Sequence, residues 1–482
     1  MPDVNAIAAA LAQHGQSHVL QFYKDLPPES QSALLRQIEQ IDLDELDRLI
    51  AQYVRVRPAA EVAGKIEPAT VVSPRDDKTA GELETARQRG QELINAGKVA
   101  AFVVAGGQGT RLGFDGPKGC LPATPVANKP LFQVFAEQIL AASRRSGKAI
   151  PWYIMTSPLN DAPTRAFFRQ QNHFGLDGAD VFFLVQGTMP AISLGCPGGP
   201  AAGKLLLEQR DALATSPNGH GGAMTALRQS GALDDMARRG IELISYFQVD
   251  NPLVRVIDPL LLGLHHLRGA EASAKSLPKR DPMEKVGNFC LVDGKVSVIE
   301  YSDMPDELAR ATTPDGRLLY GAGSIAIHAF SRTFVERLTA GGRTMLPFHR
   351  ADKKVPFLDE SGRRVEPERP NAVKLEMFIF DALPLARQTV ILETDRSEEF
   401  SPIKNAAGLD SPATSLHDQV RRAAAWLEAA GVSVPRDADG QVAAAIEISP
   451  LYADSPEALA QRVGAGLTIT PGQRLYLCDP PR

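Results

Sequence analysis

The sequence predicts an α/β fold in which helices cover a mostly parallel sheet. From Val99 onward, apolar runs of strand length alternate with amphipathic runs of helix length. Strands are predicted at residues 99–105, 152–156, 181–185 and 244–249, and helices at 131–144, 161–173 and 224–240. This alternation is typical of parallel sheets with helices on both faces. Ligands bind such sheets beyond the carboxyl ends of the strands, so the loops after these strands are the candidate sites.

Other patterns frame this sheet. Residues 1–56 show helical periodicity that breaks at Pro27–Pro28, and Asp42 with Glu45 resembles a capping box that opens a further helix. A connector is predicted at 57–78, followed by a short helix near 81–96. Residues 288–301 alternate in polarity around Asp293–Gly294, which predicts an antiparallel hairpin inserted after the parallel strands.

The last hundred residues form a separate pattern. Ser411–Pro412 is expected to open a helix that ends near Gly431, and strands are predicted at 443–448 and 475–477. The sequence therefore predicts an N-terminal helical segment with its connector at 1–95, an α/β domain at 96–383 and a small C-terminal domain at 384–482.

Composition excludes several classes of function. The 482 residues include 52 basic and 57 acidic side chains without a long basic block, so neither nucleic acid nor an anionic membrane surface is expected as a partner. No run approaches the roughly 20 apolar residues of a membrane-spanning helix. The cysteines form no CxxC pair, which favours reduced thiols and a cytoplasmic protein; they are Cys120, Cys196, Cys290 and Cys478.

The stretch 99–119, VAAFVVAGGQGTRLGFDGPKG, carries the main chemical signal. A strand-like run ends in glycines that include Gly106 and Gly107, but Leu112 breaks the GxGxxG pattern of dinucleotide sites. Backbone N–H groups of a glycine loop, together with the cations Arg111 and Lys118, suit a polyphosphate. We therefore predict phosphate binding by this loop.

A second glycine-rich string is a decoy. Gly198, Gly203 and Lys204 match GxxxxGK, but the next position is Leu205, where a P-loop has Ser or Thr for Mg²⁺. No apolar strand precedes the string. A P-loop NTPase is therefore not predicted.

Three polar stretches leave alternatives open when each is taken alone. Asp250 ends a predicted strand and could bind Mg²⁺ or cap the following turn. The glycine-rich loop 216–222 contains His220, which could contact a base or a sugar, or could lie in a surface turn. Lys404, in the polar stretch 399–405, would by itself be a solvated surface residue.

Taken together, these strings resemble the UTP-dependent sugar-1-phosphate uridylyltransferases, the family of eukaryotic-type UDP-N-acetylglucosamine and UDP-glucose pyrophosphorylases. The resemblance covers roughly residues 80–450 in order. It runs through AGGQGTRLG and PKG at 105–119, WYIMTS at 152–157, FFLVQG at 182–187, PNGHGG at 217–222, VDN at 249–251, VG at 286–287, VIEYSDMP at 298–305, KLEMFIFD at 374–381, EEFSPIKN at 398–405 and IEISPL at 446–451.

The resemblance implies a Rossmann-like, GT-A-like nucleotide-binding domain that converts UTP and a sugar-1-phosphate into a UDP-sugar and pyrophosphate with Mg²⁺. It also implies roles for matched residues. Catalytic roles fall to Arg111, Lys118 and Lys404; nucleotide binding to Gly106, Gly107, Gln186, Pro217 and Gly219; sugar binding to His220, Asn251, Gly287, Glu300 and Ser324; and Mg²⁺ binding to Asp250.

The residue types in these stretches suit such a reaction on physical grounds. The oxygen of a sugar phosphate is already an anionic nucleophile, so catalysis requires in-line positioning and charge neutralisation. Overall likeness favours an N-acetylhexosamine substrate, although His220 and Ser324 stand where that branch has asparagine. The alternatives are a UDP-glucose or broad UDP-sugar pyrophosphorylase, or a non-catalytic homologue that binds sugar nucleotides. We expect a monomer or weak homo-oligomer.

Overall fold

The computed structural model describes residues 3–57, 64–195, 199–342, 344–464 and 466–479. None of the helices within these ranges is long and apolar enough to cross a membrane. The α-helices of this part of the chain are α1 Val4–Gln13, α2 Pro28–Glu39, α3 Leu43–Leu49, α4 Ala80–Asn95, α5 Leu131–Ser146, α6 Asp161–Gln170, α7 Gly222–Gln229, α8 Ala232–Arg238, α9 Pro259–Leu267, α10 Asp306–Arg310, α11 Arg332–Leu338, α12 Arg396–Glu399, α13 Pro412–Ala429 and α14 Pro456–Arg462.

The strands of the same residues are numbered in chain order. They are β1 Ile66–Pro68, β2 Val99–Val104, β3 Trp152–Thr156, β4 Val181–Val185, β5 Thr188–Pro190, β6 Ile192–Ser193, β7 Leu207–Gln209, β8 Ala212–Leu213, β9 Thr215–Pro217, β10 Leu243–Gln248, β11 Ala272–Pro278, β12 Asn288–Val292, β13 Lys295–Ile299, β14 Ala322–Ser331, β15 His349–Lys353, β16 Phe357–Leu358, β17 Arg364–Val365, β18 Ala372–Glu376, β19 Thr389–Glu393, β20 Ala445–Ile448 and β21 Arg474–Leu477.

The chain forms two compact units. The first unit contains the described residues of Met1–Glu61, Gly187–Gly222 and Leu346–Ile379. The second contains those of Val62–Gln186, Ala223–Met345 and Phe380–Arg482. The division at 95/96 and 383/384 that the sequence suggested stays a prediction.

A large mixed sheet forms the centre of the second unit, in the order β1-β12-β14-β10-β2-β3-β4. The four predicted strands β10, β2, β3 and β4 are mutually parallel neighbours, which confirms the α/β fold class. Nearly all apolar side chains of β10, β2 and β3 are buried, whereas those of the edge strand β4 are mostly half-buried and Val185 is exposed. Trp152 of β3 packs against Phe132 of α5 and Phe168 of α6. Burying each such aromatic side chain stabilises the fold by about 1.5–3 kcal/mol.

The other half of this sheet is antiparallel. The hairpin β12–β13 is confirmed, with Asp293 and Gly294 at φ 48° and 78° in its turn. The ten-residue strand β14 pairs antiparallel with β10, β11 and β12, and β19 pairs parallel with β11. Strands β11, β14 and β19 were not predicted from the sequence.

Two predicted helices are shorter than expected. The helix predicted at 224–240 is two helices, α7 and α8, because Gly231 between them adopts φ 77°, which no α-helix contains. The helix predicted at 161–173 ends at Gln170, and His173 has φ 49°. Both corrections follow from left-handed backbone conformations that interrupt helical periodicity.

The C-terminal part of the second unit has its own apolar cluster. The side chain of Ser411 accepts a hydrogen bond from the Thr414 N–H in the capping box that opens α13, as the sequence predicted. Strands β20 and β21 are parallel partners. Trp426, Leu427, Ile446 and Leu459 are buried together in this cluster.

The first unit is assembled from three separate segments. Helices α1 to α3 bury Leu11, Leu34 and Leu46 in one apolar cluster with residues of β6, β7 and β18. The Asp42 side chain accepts from the Glu45 N–H at the start of α3, which confirms the predicted cap. A three-stranded antiparallel sheet has the order β15-β18-β6.

Two sequence features fall partly outside the described residues. Cys120, Cys290 and Cys478 are free thiols, whereas Cys196 lies outside the described part of the chain. Burial raises the pKa of the thiols of Cys120 and Cys290 to about 12, which makes both poor nucleophiles. Gly198 of the decoy string also lies outside the described residues.

Candidate active site

The loop after β2 is closed by its own backbone. The Gly109 N–H donates to the carbonyl of Gly116 at 2.9 Å, and the Lys118 N–H donates to the carbonyl of Gly107 at 3.1 Å. The loop therefore returns to the end of the strand from which it began. This return places Lys118, from the far end of the loop, beside the exposed backbone of Gly107.

Asn160 holds the first turn of this loop, a role that the sequence analysis missed. Its side chain is fully buried, and Nδ2 donates to the carbonyls of Ala105 at 2.9 Å and Gly107 at 3.2 Å. Its Oδ1 accepts from the N–H of Ser157 at 2.7 Å. An asparagine just after WYIMTS, at the N-terminus of α6, was the available signal, since asparagine commonly bonds backbone at such positions.

Two residues predicted to bind the nucleotide are neighbours in the second unit. A Cβ built on Gly106 would lie 2.9 Å from Oε1 of Gln186, so any larger residue here would displace the Gln186 amide. Gln186 is 6% exposed, and its N–H donates to the carbonyl of Thr156 at the end of β3. The glycine thus lets the loop backbone approach the Gln186 amide.

Three cations and one carboxylate form a cluster at the carboxyl ends of β2 and β10. Nζ of Lys118 lies 3.8 Å from Oδ2 of Asp250, and both side chains are about 15% exposed. Burial lowers the pKa of the Lys118 ammonium; Asp250 opposes that effect, and the positive charges of Lys404 and Arg111 add to it. The structure therefore brings together Arg111, Lys118, Asp250 and Lys404, as predicted from the sequence.

Lys404 reaches this cluster because its segment is bonded to the end of β10. The Ile403 N–H donates to the carbonyl of Asp250 at 2.8 Å. The Lys404 side chain is exposed, with Nζ 5.6 Å from the centre of the Phe400 ring. A segment more than 150 residues away in sequence thereby joins the strand that carries Asp250.

Among the described residues, no group of three or more His, Cys, Asp or Glu side chains could hold a metal ion by itself. Mg²⁺ is commonly held by one or two carboxylates and by phosphate oxygens. A partly exposed carboxylate beside three cations fits that mode, in which the substrate completes the coordination. Asp250 is therefore a suitable single protein ligand.

Three residues predicted to bind the sugar lie together in the second unit. The Ser324 N–H donates to the carbonyl of Gly287 at 2.8 Å, and a Cβ at Gly287 would lie 3.5 Å from Oε1 of Glu300. Near them, Nζ of Lys279 donates to Oδ1 of Asn288 at 2.8 Å. Burial lowers the pKa of Lys279, although Glu284 and Asp281 oppose the effect. The sequence analysis did not identify Lys279 or Asn288.

Asn251 makes contacts that organise the backbone. It is 4% exposed; its Nδ2 donates to the carbonyl of Glu399 at 2.6 Å, and its Oδ1 accepts from the Ser401 N–H at 3.1 Å. These bonds fasten the segment that precedes Lys404. The sugar-binding role assigned to Asn251 stays a prediction.

The remaining predicted residues lie in the first unit. Gly219 has φ 83°, and a Cβ there would collide with the backbone of Met377. Pro217 ends β9, which pairs antiparallel with β5. The Ile379 N–H donates to Nδ1 of His220 at 3.0 Å. The loop 217–220 is therefore fitted closely against the KLEMFIFD stretch.

His220 is held neutral by its surroundings. Burial lowers its pKa to about 4, and the charge of His349 acts in the same direction. Its ring stacks on Phe378 at 5.3 Å, and the ring of His349 stacks on Phe378 at 4.4 Å. A neutral imidazole that accepts at Nδ1 carries its proton on Nε2.

Comparisons with known proteins identify the family of this chain. A family model described as UTP–glucose-1-phosphate uridylyltransferase matches residues 44–418. The chain is 37% identical to human UDP-N-acetylhexosamine pyrophosphorylase-like protein 1, over 94% of this chain and 93% of that one. It is 36% identical to UDP-N-acetylglucosamine diphosphorylase 2 of Arabidopsis thaliana, over 94% and 90%.

A solved structure of a pyrophosphorylase has the same fold. The chain is similar to the uridine diphosphate N-acetylglucosamine pyrophosphorylase of Trypanosoma brucei, with a TM-score of 0.81 and 26% identity. The likeness covers 96% of this chain and 95% of that one.

Proposed function

This chain belongs to the UTP–glucose-1-phosphate uridylyltransferase family, and on that premise we propose that it makes UDP-N-acetylglucosamine and pyrophosphate from UTP and N-acetylglucosamine-1-phosphate. The observation that carries the proposal is the cluster of Arg111, Lys118 and Lys404 beside Asp250. A site with so much positive charge suits a reaction between two polyanions.

The proposed chemistry needs no activated side chain. An oxygen of the sugar phosphate attacks the α-phosphorus of UTP, and the bond from that phosphorus to the oxygen bridging it to the β-phosphate breaks. Pyrophosphate leaves on the opposite side. Arg111 and Lys118 bind the departing pyrophosphate, and Lys404 neutralises charge at the transferred phosphoryl group.

Asp250 would hold Mg²⁺ in this reaction. The ion supplies positive charge to the phosphate oxygens when it is bound. Around it, the role of the chain is to orient the reactants. The Ile403 N–H donates to the carbonyl of Asp250, so the backbone next to Lys404 is joined to the strand end that carries the metal ligand.

Recognition of the base and the sugar is divided among several groups. Gly106, Gly107 and Gln186 bind the uracil, because the open backbone and the buried amide lie side by side. Gly287, Glu300 and Ser324 bind the sugar hydroxyl groups. By the family resemblance, Pro217 and Gly219 of the first unit bind the nucleotide and His220 of that unit binds the sugar. In the second unit the resemblance assigns sugar binding to Asn251.

The choice of N-acetylglucosamine rests on the relatives. The human and Arabidopsis proteins at 36–37% identity are named for N-acetylated sugars, and each matches along more than nine-tenths of this chain. The neutral His220 stands where the N-acetylhexosamine branch of the family has asparagine. The preference of this chain for one sugar phosphate over another therefore has to be measured directly.

The test is pyrophosphate release from UTP and Mg²⁺ with three sugar phosphates in parallel: N-acetylglucosamine-1-phosphate, glucose-1-phosphate and galactose-1-phosphate. We expect the highest kcat/KM with the N-acetylated sugar. A preference for glucose-1-phosphate would establish the UDP-glucose alternative. Binding of UDP-N-acetylglucosamine by calorimetry without turnover on any of the three would establish a non-catalytic homologue.

A further inference from the structure

Lys275 is a fully buried lysine in the middle of β11, and the proposed reaction does not use it. Its side chain has no solvent exposure. Nζ lies 2.6 Å from Oδ2 of Asp258 and also pairs with the carboxylate of Glu399. Asp258 caps α9 through the Leu260 N–H, and Glu399 accepts a hydrogen bond from Thr394. A buried lysine between two carboxylates forms only where the surrounding structure holds all three groups.

Three further charged residues close this network. Arg255 lies 3.4 Å from Glu398, and Arg422 of α13 donates to the carbonyls of Glu398 at 2.9 Å and Leu253 at 3.1 Å. Burial opposes the charges of Arg255 and Arg422, and the nearby carboxylates favour them. The network therefore balances the three cations Lys275, Arg255 and Arg422 against the three anions Asp258, Glu398 and Glu399.

The network adjoins the two segments that meet at the candidate site. Glu399 uses its carboxylate for Lys275 and its carbonyl for Nδ2 of Asn251. Two residues later the Ser401 N–H donates to Asn251, and the Ile403 N–H donates to the carbonyl of Asp250. A continuous set of bonds thus runs from Lys275 through Glu399 and Asn251 to the backbone next to Lys404.

We propose that Lys275, through the buried network with Asp258 and Glu399, positions Lys404 against Asp250 for uridylyl transfer. Lys275 is a positioning residue in this proposal, because Glu399 and Asn251 stand between it and the reacting groups. The inference rests on the proposed function for its kinetic test, but the geometry that it describes is independent of the substrate.

A purely structural network would stabilise the fold without affecting the site, and the chain offers a matched control for that case. Lys129 is 5% exposed, pairs with Glu137 at 2.6 Å and lies 3.8 Å from Glu447. It is a buried lysine between two carboxylates in the same unit, bonded to β20 and α5 rather than to the segment of Lys404. Lys129→Met therefore reproduces the chemical change without the proposed positioning effect.

The experiment compares Lys275→Met, Lys129→Met and Lys404→Ala in the full-length protein. We expect Lys275→Met to lower kcat by about 10- to 100-fold, the scale of a misplaced catalytic group, while KM for UTP changes by less than about twofold. Because Lys275 acts through Lys404, Lys275→Met/Lys404→Ala should be no slower than Lys404→Ala. If Lys275→Met does not fold, Lys275→Met/Glu399→Gln replaces it, since that pair of changes keeps the network charge-balanced.

A second measurement does not depend on turnover. Hydrogen exchange of the Ser401 and Ile403 amides should accelerate in the Lys275 variant and stay unchanged in Lys129→Met. Equal kcat in the two methionine variants, multiplicative effects of the Lys275 and Lys404 substitutions, or unchanged exchange at both amides would overturn the proposal. A wild-type protein inactive with all three sugar phosphates would refute the proposed function alone, and exchange would still decide the role of Lys275.

Discussion

Nζ of Lys118 and Oδ2 of Asp250 lie 3.8 Å apart at the carboxyl ends of the parallel neighbours β2 and β10. Lys118 comes from the far end of a glycine loop, and Asp250 follows β10 by two residues. Parallel pairing brings the two strand ends to one edge of the sheet, so residues 132 positions apart in sequence form one site.

Replacing Lys404 with alanine should lower kcat by about 10²- to 10³-fold, as expected when one group that stabilises transition-state charge is removed. The KM for UTP should change little, because the ammonium is most needed as charge redistributes during transfer. Steady-state kinetics give both values, and the exposed Lys148→Ala serves as the control. A near-normal kcat with a raised KM would assign Lys404 to ground-state binding instead.

Asp250→Asn should shift the Mg²⁺ dependence of activity to higher metal concentration and lower the maximal rate. An amide is a weaker ligand for a hard cation than a carboxylate. Titration of activity against Mg²⁺ at constant UTP measures the change, with Asp439→Asn, an exposed turn residue, as the control. A titration midpoint identical to that of the wild type would remove Asp250 from the metal site.

His220→Asn should change the ratio of kcat/KM between N-acetylglucosamine-1-phosphate and glucose-1-phosphate. We expect the ratio to move by about 10-fold in favour of the N-acetylated sugar, the scale of one hydrogen bond in a binding pocket. His173→Asn, in the other unit, is the control. If the ratio stays constant, His220 does not contribute to sugar selection.

The same histidine predicts a pH dependence of stability. Its pKa is about 4 in the folded chain and about 6.5 when unfolded, so the unfolded state binds more protons as the pH falls. Between about pH 7.5 and pH 5, wild type should therefore lose up to about 2 kcal/mol of unfolding free energy relative to His220→Asn. Denaturant unfolding of both proteins at the two pH values measures this difference. Parallel pH dependences would show that His220 is not held neutral.

Asn160→Asp tests the support of the phosphate loop. The substitution preserves shape and removes the Nδ2 donor that bonds the carbonyls of Ala105 and Gly107. We expect a loss of about 1–3 kcal/mol in unfolding free energy, because the carbonyl of the buried Ala105 loses this donor and that of Gly107 keeps only the Lys118 N–H, and a raised KM for UTP. Asn172→Asp, at an exposed position two residues after the end of α6, controls for the added charge. A KM for UTP equal to that of the wild type would show that Asn160 does not shape the loop for UTP binding.

Local patterns were enough to predict the elements whose determinants are local. The strands Trp152–Thr156 and Val181–Val185, the Asp293–Gly294 turn and the Ser411 cap each depend on residues within a few positions, and all are confirmed. The proximity of Arg111 and Lys118 could also be predicted, because both lie in one short loop that stays at the carboxyl end of its strand.

The direction of β14 and the buried polar contacts around the site depend on pairing between segments that are distant in sequence. Nothing near β14 in sequence indicates that it joins the parallel strands in the antiparallel direction, because strand direction depends on the partner that it meets. Asn251 bonds the backbone of residues 399 and 401, and the charge of Lys275 is balanced by Asp258 and Glu399. Periodicity and spacing do not encode such contacts, since burial and partner identity arise only when distant segments pack. Local residue patterns were therefore sufficient to identify the family, the parallel strands and the charged residues of the site, whereas the buried groups that hold those residues in place depend on how distant segments pack.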